Sequence, residues 1–529
     1  MKMAIRIVLL VTVVAAAGML HAQTITTTGS GNWSSTTADT PWPGGVLPAA
    51  SNDVVIADGS TVTLDQNASV TNLTVGGGTT GILQFNKTKQ VILTVNGNLT
   101  LQKGSTLKVQ SRDAATPEIL DSVFVSKDFN NKGAATFDMR SGSSGSTLVV
   151  CNVVFTGSGV STVTQGVYNS STNEFNGIEI RKIGTGKIVL GSDVVMAGGS
   201  TTQPNASPVL KLNGGLIETG PNKIVATYGN SGCVSAGSST SYVVGALGRG
   251  MSNSSGTARN FPVGDANGYR PINVSSTTGG VVTQHMAIVR CVSGDANIKG
   301  STYVSGIDLV SHVRYYSLKY SKELSGASGA ADDMGFFKFY PSYGKDDGVA
   351  AGNSNLRVAY SIDSLKTWKG MEQTTFPHLT DLSNPPTTIQ PDSLNPAVTL
   401  KANPQQTLYI ALAKVVGTKE NTLSASTGIA HGGLGALSQF ALEQNFPNPF
   451  NPSTEIRYDL AKAGHVRLTV FNAQGQVLAT LVDRGQTAGN HKATWNARTA
   501  GGTALPSGIY VYKLEMNGIS KTAKMTLMK

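Results

Sequence analysis

Charged residues are scarce in this sequence of 529 residues. Asp, Glu, Lys and Arg together make up 14% of the chain, whereas soluble domains usually hold about 25%. Glu, Lys and Arg commonly fill the exposed faces of helices, so their scarcity argues against a mainly helical fold. Gly, with 61 residues, and many Ser, Thr and Asn take their place. This composition favours strands and tight turns, and it predicts an all-β protein.

Cysteine is rare as well. The three residues Cys151, Cys233 and Cys291 allow at most one intramolecular disulfide. The lack of a Cys-x-x-Cys pair excludes a structural zinc site of that kind. Cys151 lies in an apolar run and is predicted to be a small buried hydrophobic residue.

Histidines and catalytic motifs are sparse. The chain has seven histidines and contains neither a His-Glu-x-x-His zinc motif nor a Gly-x-Ser-x-Gly nucleophile motif. The stretch Asp265-Ala266-Asn267-Gly268 is similar to half of a calcium loop, but the other ligands are missing, so it is interpreted as a polar turn. Asp332-Asp333 and Asp346-Asp347-Gly348 are interpreted as solvated loops. No metal site and no cofactor are predicted.

The acidic residues of the N-terminal region are scattered. Hydrolysis or elimination on a polysaccharide needs two carboxylates, or carboxylates with a cation, converging on one face. We expect no two of these acids at the spacing of neighbouring strands beside a Lys, Arg or His, which predicts a non-enzymatic protein. A polysaccharide-active β-helix enzyme, a lyase or glycosidase with a divergent site, is the alternative. The acids are Asp53, Asp58, Asp65, Asp113, Glu118, Asp121, Asp128, Asp138, Glu174, Glu179, Asp193 and Glu218.

The net charge of +10 is concentrated at the two ends of the chain. Residues 446–529 contain ten Lys and Arg against four Asp and Glu, and Lys2 and Arg6 add two more positive charges. The body between these ends is left with about +2. It has no basic stripe with interleaved aromatic residues, so no nucleic-acid partner is predicted.

Residues 1–22 have the pattern of a secretory signal peptide. Lys2 and Arg6 form a basic start, residues 7–20 form an apolar run, and Leu20-His21-Ala22 places a small residue before the cleavage point. A membrane anchor is the alternative, but the run is shorter than the ~20 residues that cross a bilayer. The pattern predicts that the Sec machinery and signal peptidase act on this chain.

Short apolar–polar–apolar triplets recur from about residue 52 to residue 110. Two side chains of each triplet are predicted to point inward and one outward. The triplets are too closely spaced for helices, and they fit the stacked rungs of a solenoid or a flat sandwich. Residues 23–242 are therefore predicted to form a right-handed β-helix solenoid. The triplets include Val62-Thr63-Leu64, Leu73-Thr74-Val75, Leu93-Thr94-Val95 and Leu107-Lys108-Val109.

The same region resembles known surface proteins. Gly31-Asn32-Trp33, Trp42-Pro43-Gly44-Gly45 and Asn52-Asp53-Val54-Val55-Ile56 are similar to the start of β-helical extracellular domains related to the eight-glycine domain. Residues 175–217 look like the repeats of large Bacteroidetes-type surface proteins. The resemblance implies a β-helical domain that is exposed outside the cell.

The chain changes character near residue 243. Phe261-Pro262-Val263-Gly264-Asp265, followed by Tyr269-Arg270-Pro271, also resembles those surface proteins, in which this pairing opens a sandwich domain. Residues 243–416 are predicted to form an antiparallel β-sandwich. Residues 417–445 are predicted to be a linker, because residues 417–435 are rich in Ser, Thr and Gly and have no apolar period.

Residues 446–529 are predicted to form a small Ig-like sandwich of about six or seven strands. Asn472-Ala473-Gln474-Gly475 supplies a hairpin turn between two of these strands. The segment is introduced by the string QNFPNPFNPST, residues 444–454. Three prolines within six residues keep this string extended or turned.

This segment resembles the C-terminal sorting domain of type IX secretion substrates, which is akin to the Ig-like domain of the flagellar hook-capping protein. The resemblance implies export through Sec and the type IX translocon of the outer membrane, and display on the outer surface of a Gram-negative bacterium. Because no convergent catalytic set is found, an adhesin, or a matrix- or glycan-binding protein, is the expected role of the body. The implied sorting signal comprises Asn445, Phe446, Pro447, Asn448, Pro449, Phe450, Asn451, Pro452, Gly508, Tyr510, Lys513, Lys521 and Lys524.

Overall fold

The computed structural model describes most of the chain after the predicted signal peptide. All regular elements among the described residues are strands, apart from two short 3₁₀ turns at Pro43–Gly45 and Ser231–Cys233. The prediction of an all-β protein is confirmed. The described residues are 23–111, 119–131, 135–141, 149–167, 173–196, 209–227, 231–251, 258–277, 285–297, 301–321, 336–343, 347–349, 356–371, 380–381, 407–418, 423, 441–442, 445, 448, 450–460, 464–472, 474–487, 489–499, 501–516 and 519–528.

The chain divides into two compact units, Met1–Thr427 and Gly428–Lys529. The division falls within the segment predicted to be a linker. The described residues include no helix that is long and apolar enough to cross a membrane.

Short strands fill the first part of the first unit. They are β1 (Thr24–Thr26), β2 (Gly31–Asn32), β3 (Asp53–Ile56), β4 (Thr61–Leu64), β5 (Ala68–Val70), β6 (Leu73–Val75), β7 (Ile82–Phe85), β8 (Ile92–Val95), β9 (Leu99–Leu101), β10 (Thr106–Lys108), β11 (Ile119–Val125), β12 (Phe129–Asn131), β13 (Thr136–Asp138), β14 (Arg140–Ser141), β15 (Val149–Phe155), β16 (Val160–Thr164), β17 (Asn173–Glu174), β18 (Gly177–Ile180), β19 (Lys187–Leu190), β20 (Val194–Met196), β21 (Leu210–Leu212) and β22 (Leu216–Ala226).

These strands form three sheets of parallel strands. Sheet 1 contains β1, β3, β6, β9, β12, β16, β19 and β22, with β20 also on β22. Sheet 2 contains β2, β4, β7, β10, β13 and β17. Sheet 3 contains β5, β8, β11, β15, β18 and β21, with β14 antiparallel to β15. The chain visits the sheets in rotation, since β6, β7 and β8 lie in sheets 1, 2 and 3 and β9, β10 and β11 repeat that order.

Apolar side chains of successive strands stack in columns. In β6, Leu73 and Val75 are buried while Thr74 between them is partly exposed, as the triplet pattern predicts. The strand register places buried residues directly above one another, and each such side chain contributes roughly 1.5–3 kcal/mol on burial. The column of sheet 1 contains Val54, Leu73, Leu99, Phe129 and Val163, and that of sheet 3 contains Val70, Val95, Val125, Phe155 and Ile180.

A ladder of Asp and Asn side chains holds the strands of sheet 1 in register. Asp53 Oδ1 accepts hydrogen bonds from the Asn72 backbone N–H at 3.2 Å and from Asn72 Nδ2 at 2.8 Å, and Asn72 Oδ1 accepts one from the Asn98 backbone N–H at 2.8 Å. Asn98 Oδ1 then accepts from the Asp128 N–H at 3.1 Å, and Asp128 Oδ1 from the Thr162 N–H at 2.7 Å. Each side chain thus accepts a hydrogen bond from a backbone N–H group of the next rung. Without it, that N–H group, which lies at a turn between sheets, would have to bond to water.

The rest of the first unit is mostly antiparallel. Its strands are β23 (Val243–Met251), β24 (Arg259–Phe261), β25 (Val263–Asp265), β26 (Gly268–Tyr269), β27 (Ile272–Thr277), β28 (His285–Ser293), β29 (Thr302–Val304), β30 (Ile307–Val310), β31 (Arg314–Ser321), β32 (Phe336–Tyr343), β33 (Leu356–Ser361), β34 (Thr367–Gly370), β35 (Thr380–Asp381) and β36 (Thr407–Val415).

Sheet 1 continues without a break into this part. β23 pairs in parallel with β22 on one side and antiparallel with β28 on the other. β28, β31, β36 and β33 follow in antiparallel order. A separate sheet contains β24, β27, β32 and β35. Strand β23 is therefore the point at which the parallel arrangement becomes antiparallel.

The described residues of the second unit form seven strands in two sheets that share one core. β37–β38–β41 form one sheet and β40–β39–β42–β43 the other, and both contribute to a core that includes Tyr458, Val470, Tyr512 and Leu514. The prediction of six or seven strands is confirmed. The strands are β37 (Ala441–Leu442), β38 (Thr454–Leu460), β39 (Gly464–Phe471), β40 (Val477–Gln486), β41 (Gly489–Trp495), β42 (Gly508–Met516) and β43 (Ile519–Leu527).

The predicted hairpin turn joins β39 to β40. Asn472 Oδ1 accepts hydrogen bonds from the backbone N–H groups of Gln474 at 3.1 Å and Gln476 at 2.9 Å. Gly475 has a φ of 82°, a left-handed conformation that Gly adopts without steric cost. Asn and Gly at these positions therefore explain why the chain reverses here.

Candidate functional site

The proline-containing segment that introduces the second unit packs on its last strand. Asn448 Oδ1 accepts a hydrogen bond from the Thr526 backbone N–H at 2.8 Å. The Phe450 N–H donates to Thr526 O at 2.9 Å, and the Met528 N–H donates to Phe450 O at 3.0 Å. Phe450 and Leu527 thus form a parallel bridge. The structure brings two predicted parts of the sorting signal, the opening segment and strand β43, into direct contact.

Asn445 is anchored inside the second unit although it precedes the prolines. It is buried, its backbone N–H donates to the Tyr512 hydroxyl at 2.9 Å, and its Nδ2 donates to Thr454 Oγ1 at 2.9 Å. Tyr512 lies on β42 and Thr454 begins β38. Asn445 therefore links the segment to both sheets of this unit.

An aromatic cluster joins Phe450 to two other strands. The ring centroid of Phe450 lies 5.8 Å from that of Trp495, which in turn lies 5.6 Å from that of Tyr510 in an edge-to-face arrangement. The Tyr510 hydroxyl donates to Pro506 O at 2.7 Å. Such aromatic pairs contribute roughly 0.5–1.5 kcal/mol beyond their buried area. Tyr510, predicted as part of the signal, is thus a core residue beside Trp495.

The predicted lysines lie on β42 and β43. Lys513 is half-buried and its Nζ lies 2.6 Å from Glu515 Oε1, while Lys521 and Lys524 are exposed. In the β42–β43 register Lys513 lies opposite Thr522 and Lys524 opposite Val511.

The remaining predicted sorting residues have different surroundings. Asn451 and Pro452 are exposed, and Gly508 is half-buried at the start of β42. Phe446, Pro447 and Pro449 lie outside the described residues.

One face of the first unit holds two carboxylates on neighbouring strands. Asp138 of β13 lies directly opposite Glu174 of β17, and Lys108 of β10 lies opposite Asp138 on the other side. Arg140 follows two residues after Asp138, and its backbone N–H donates to Asp138 Oδ1 at 3.2 Å. The expectation that no two acids would recur on neighbouring strands beside a cation is therefore wrong. We refer to Lys108, Asp138 and Glu174 as the sheet 2 row.

Burial raises the pKa of both carboxyl groups of this row. Burial, with a contribution from the nearby Asp138 charge, raises the pKa of Glu174 to about 7, although Arg140 acts in the opposite direction. Burial also raises the pKa of Asp138, against the backbone hydrogen bond from Arg140 and the charges of Lys108 and Arg140. Near neutral pH the row therefore carries one carboxyl group that is partly protonated.

The spacing of these residues along the sequence does not reveal that they form a row. Residues 108, 138 and 174 are separated by stretches of unequal length, because the turns between strands vary from rung to rung. A search for acids at a constant interval cannot find them. The outward position of each residue within its triplet is the feature that could have indicated a common face.

A buried group of opposite charges lies in the antiparallel part of the first unit. Arg314 Nε is 3.5 Å from Asp265 Oδ2 and 3.3 Å from Asp347 Oδ1, and Arg270 Nε is 3.3 Å from Asp347 Oδ2. Asp265 Oδ1 accepts the backbone N–H groups of Asn267 and Gly268, which agrees with the interpretation as a polar turn. The interpretation of Asp347 as part of a solvated loop is wrong, because its side chain is fully buried. Asp332, Asp333 and Asp346 lie outside the described residues.

One carboxylate points into the core of the parallel sheets. Asp121 is fully buried on β11, opposite Cys151 of β15. Its Oδ1 accepts the Val91 N–H at 2.8 Å, and its Oδ2 has no hydrogen-bond partner in the described part of the chain. Burial raises the pKa of Asp121 to about 7. Within the described ranges, no group of three or more His, Cys, Asp or Glu could hold a metal ion.

Comparison with known proteins identifies part of the second unit. Residues 451–519 match the family described as the FlgD Ig-like domain. This match confirms the predicted Ig-like fold of this part of the chain. No curated protein matches the chain.

Two solved structures from Porphyromonas gingivalis are distantly similar. One is dimeric latent PorU, at 9% identity and a TM-score of 0.16, with 49% of this chain and 24% of that chain covered. The other is PorZ, described as an essential surface component of the type IX secretion system, at 13% identity and a TM-score of 0.14, with 52% of this chain and 39% of that chain covered. The chain thus spans well under half the length of either structure.

Proposed function

We propose that this chain is a secreted surface protein that the type IX secretion system exports by recognising its Ig-like second unit. The observation that carries the proposal is the packing of the QNFPNPFNPST segment on β43, through Asn448, Phe450 and Thr526. The segment that most resembles the sorting domain is therefore an integral part of the Ig-like fold. The predicted partners are the Sec machinery, signal peptidase and the translocon.

We propose that the body is a right-handed β-helix followed by a β-sandwich, displayed outside the cell. The rotation of the chain through three parallel sheets supports the β-helix, and right-handed crossovers between parallel strands are the general rule. Its proposed role is adhesion to a matrix or glycan, without catalysis.

Deletion and fusion test the export proposal. Removal of residues 446–529 should leave a folded body in the periplasm of a type IX-competent host. A reporter that carries a signal peptide and residues 441–529 should reach the cell surface of that host but not of a strain with an inactive translocon. Normal surface levels of the truncated chain would contradict the assignment.

A polysaccharide-active enzyme is the second candidate, because the sheet 2 row places two carboxylates on adjacent strands beside Lys108 and Arg140. Paired carboxyl groups with different pKa values are the usual acid and base of glycoside hydrolysis. A panel of polysaccharides distinguishes the two candidates. Release of reducing ends or unsaturated products that Asp138→Asn and Glu174→Gln both abolish would establish the enzyme.

A further inference from the structure

We propose that the export machinery binds the second unit at a patch formed by Val477, Phe471, Val511 and Ile509, on the outer face of the sheet β40–β39–β42–β43. We refer to these four residues as the outer patch. The inference rests on the proposed export function, for which it supplies the contact surface and the chemistry of the partner. That partner is an apolar protein surface of the translocon with acidic residues at its edge.

Residues that a partner contacts directly must be exposed. Several members of the predicted sorting signal do not meet this condition, since Asn445, Phe450 and Tyr510 are buried in the second unit. Their side chains stabilise the fold and are not available to a partner. The contact surface is therefore expected among other residues of the same unit.

The strand register brings the members of the outer patch together. Val477 of β40 lies opposite Phe471 of β39, which lies opposite Val511 of β42. Val511 and Ile509 are two residues apart on β42 and share a face, while Tyr510 between them is buried in the core. From the spacing of strands and residues, the patch extends about 10 Å across the sheet and about 7 Å along it.

The outer patch is exposed although its side chains are apolar. Val477 and Ile509 have 56% and 59% of their surface exposed, and Phe471 and Val511 are half-buried. Single exposed apolar side chains are common on soluble proteins. A contiguous group rimmed by polar residues instead marks a surface that another protein covers.

The outer face of the other sheet has a different character. Glu455 and Arg457 of β38 and Lys492 of β41 are charged, and both cations pair with the same carboxylate. Arg457 Nε lies 2.9 Å from Glu455 Oε1, and Lys492 Nζ lies 3.2 Å from Glu455 Oε2. Such exposed ion pairs are usual on a surface that faces water. The apolar face is therefore the better candidate for a protein contact.

A lysine borders the outer patch and indicates the charge of the partner. Lys524 of β43 is exposed and lies directly opposite Val511, in a segment, residues 446–529, with ten Lys and Arg against four Asp and Glu. Acidic groups at the edge of the partner's surface would be complementary to this lysine. A second copy of this chain would instead bring two such basic borders together across a symmetric interface.

The proline-containing segment lies next to the outer patch. Thr526 of β43 is opposite Ile509, and the Thr526 backbone N–H is the donor to Asn448 Oδ1. Docking of the segment thus holds β43 in place at the border of the patch. The string that most resembles the sorting signal can therefore support recognition through the fold.

Surface display of the full chain in a type IX-competent host tests the proposal. The double variant Val477→Thr/Ile509→Thr keeps β-branched side chains, so it should fold with the melting temperature of the wild type. It removes much of the apolar contact. Its surface level should fall at least about fivefold, with the protein retained in the periplasm, since a few central residues carry most of the affinity of an interface.

Charge reversal at the border of the outer patch supplies a second test. Lys524→Glu should lower surface display several-fold, because it sets a negative charge against the acidic edge of the partner. Arg484 is the matched control, since it is exposed on β40 of the same sheet but lies opposite the buried Val466, on the other side from the patch. Arg484→Glu makes the same change of charge and should leave display unchanged.

Three outcomes overturn the outer patch. The first is normal display of the double variant and of Lys524→Glu in a host where deletion of residues 446–529 blocks display. The second is an equal loss of display in Arg484→Glu and Lys524→Glu. The third is a wild-type dimer that the double variant converts to a monomer without loss of display, which would make this face an interface between copies. Normal display after deletion of residues 446–529 would instead overturn the proposed export function itself.

Discussion

Asn448 and Thr526 are joined by a 2.8 Å hydrogen bond between the Asn448 side-chain oxygen and the Thr526 backbone nitrogen. This contact and the adjacent Phe450–Leu527 bridge pair the proline-containing segment with the end of β43, on the edge that β42 does not occupy. Edge strands that are covered in this way are protected from pairing with other chains. A segment that resembles a linear signal is therefore part of a folded domain, and its recognition is expected to depend on that fold.

Truncation of Phe450 should destabilise the second unit. Phe450 is almost completely buried and lies against Trp495, so Phe450→Ala should cost about 3–5 kcal/mol of unfolding free energy. Denaturant unfolding of residues 441–529, followed by Trp495 fluorescence, measures the change. Asn451→Ala, at the exposed neighbouring position, is the control and should change stability by less than about 0.5 kcal/mol. Equal stability of the two variants would show that the segment does not dock on β43.

Asp121 should make the first unit less stable as the pH rises. Its pKa is about 7 in the folded protein and about 3.9 in an unfolded chain, so the folded state binds more protons between these values. The free energy of unfolding should fall by an amount on the order of 4 kcal/mol between about pH 4 and pH 7, and then level off.

Asp121→Asn should remove this part of the pH dependence. The amide keeps an oxygen that can accept the Val91 N–H but cannot ionise. Wild type and variant should therefore unfold at similar denaturant concentrations at pH 5, whereas the variant should be the more stable at pH 8. A variant that is less stable than the wild type at both pH values would show that the ionised carboxylate is not a source of strain.

Gly104 should tolerate no side chain. Its φ is 76°, and an added Cβ would lie 1.9 Å from the backbone oxygen of Thr79 on the preceding turn. Gly104→Ala combines a disfavoured backbone conformation with a clash against rigid backbone, and it should lower the melting temperature of the first unit by several degrees. Gly59→Ala has a similar φ of 79° but open space around it. The difference in melting temperature between the two variants therefore measures the cost of the clash with the Thr79 backbone.

The three cysteines should be inaccessible thiols. Cys151, Cys233 and Cys291 are buried and not joined in a disulfide, and burial raises the pKa of Cys151 well above its usual value. A thiol reagent should label none of them in the native protein and all three after denaturation, because the thiolate is the reactive form. Fewer than three labelled thiols in the denatured, unreduced protein would reveal a disulfide.

The sequence by itself determined the strand content and much of the core. Alternation such as Leu73-Thr74-Val75 requires one buried and one exposed face, whatever the neighbours are, and the few charged residues leave little material for exposed helices. The Asn472–Gly475 turn was predictable for a similar reason, since its geometry depends on the side chain of Asn472 and the conformational freedom of Gly475. These are local properties that neighbouring residues decide.

Only the tertiary structure decided which distant residues meet. Asp138 and Glu174 become neighbours because turns of unequal length return the chain to sheet 2 in register. Asp347, which looks like a solvated loop residue, is buried beside Arg270 and Arg314, which come from distant parts of the chain. Likewise, Asn448 meets Thr526 only when β43 closes the Ig-like sandwich. Such contacts depend on loop lengths and on the register of long-range pairing, and neither follows from the residue types of a short segment.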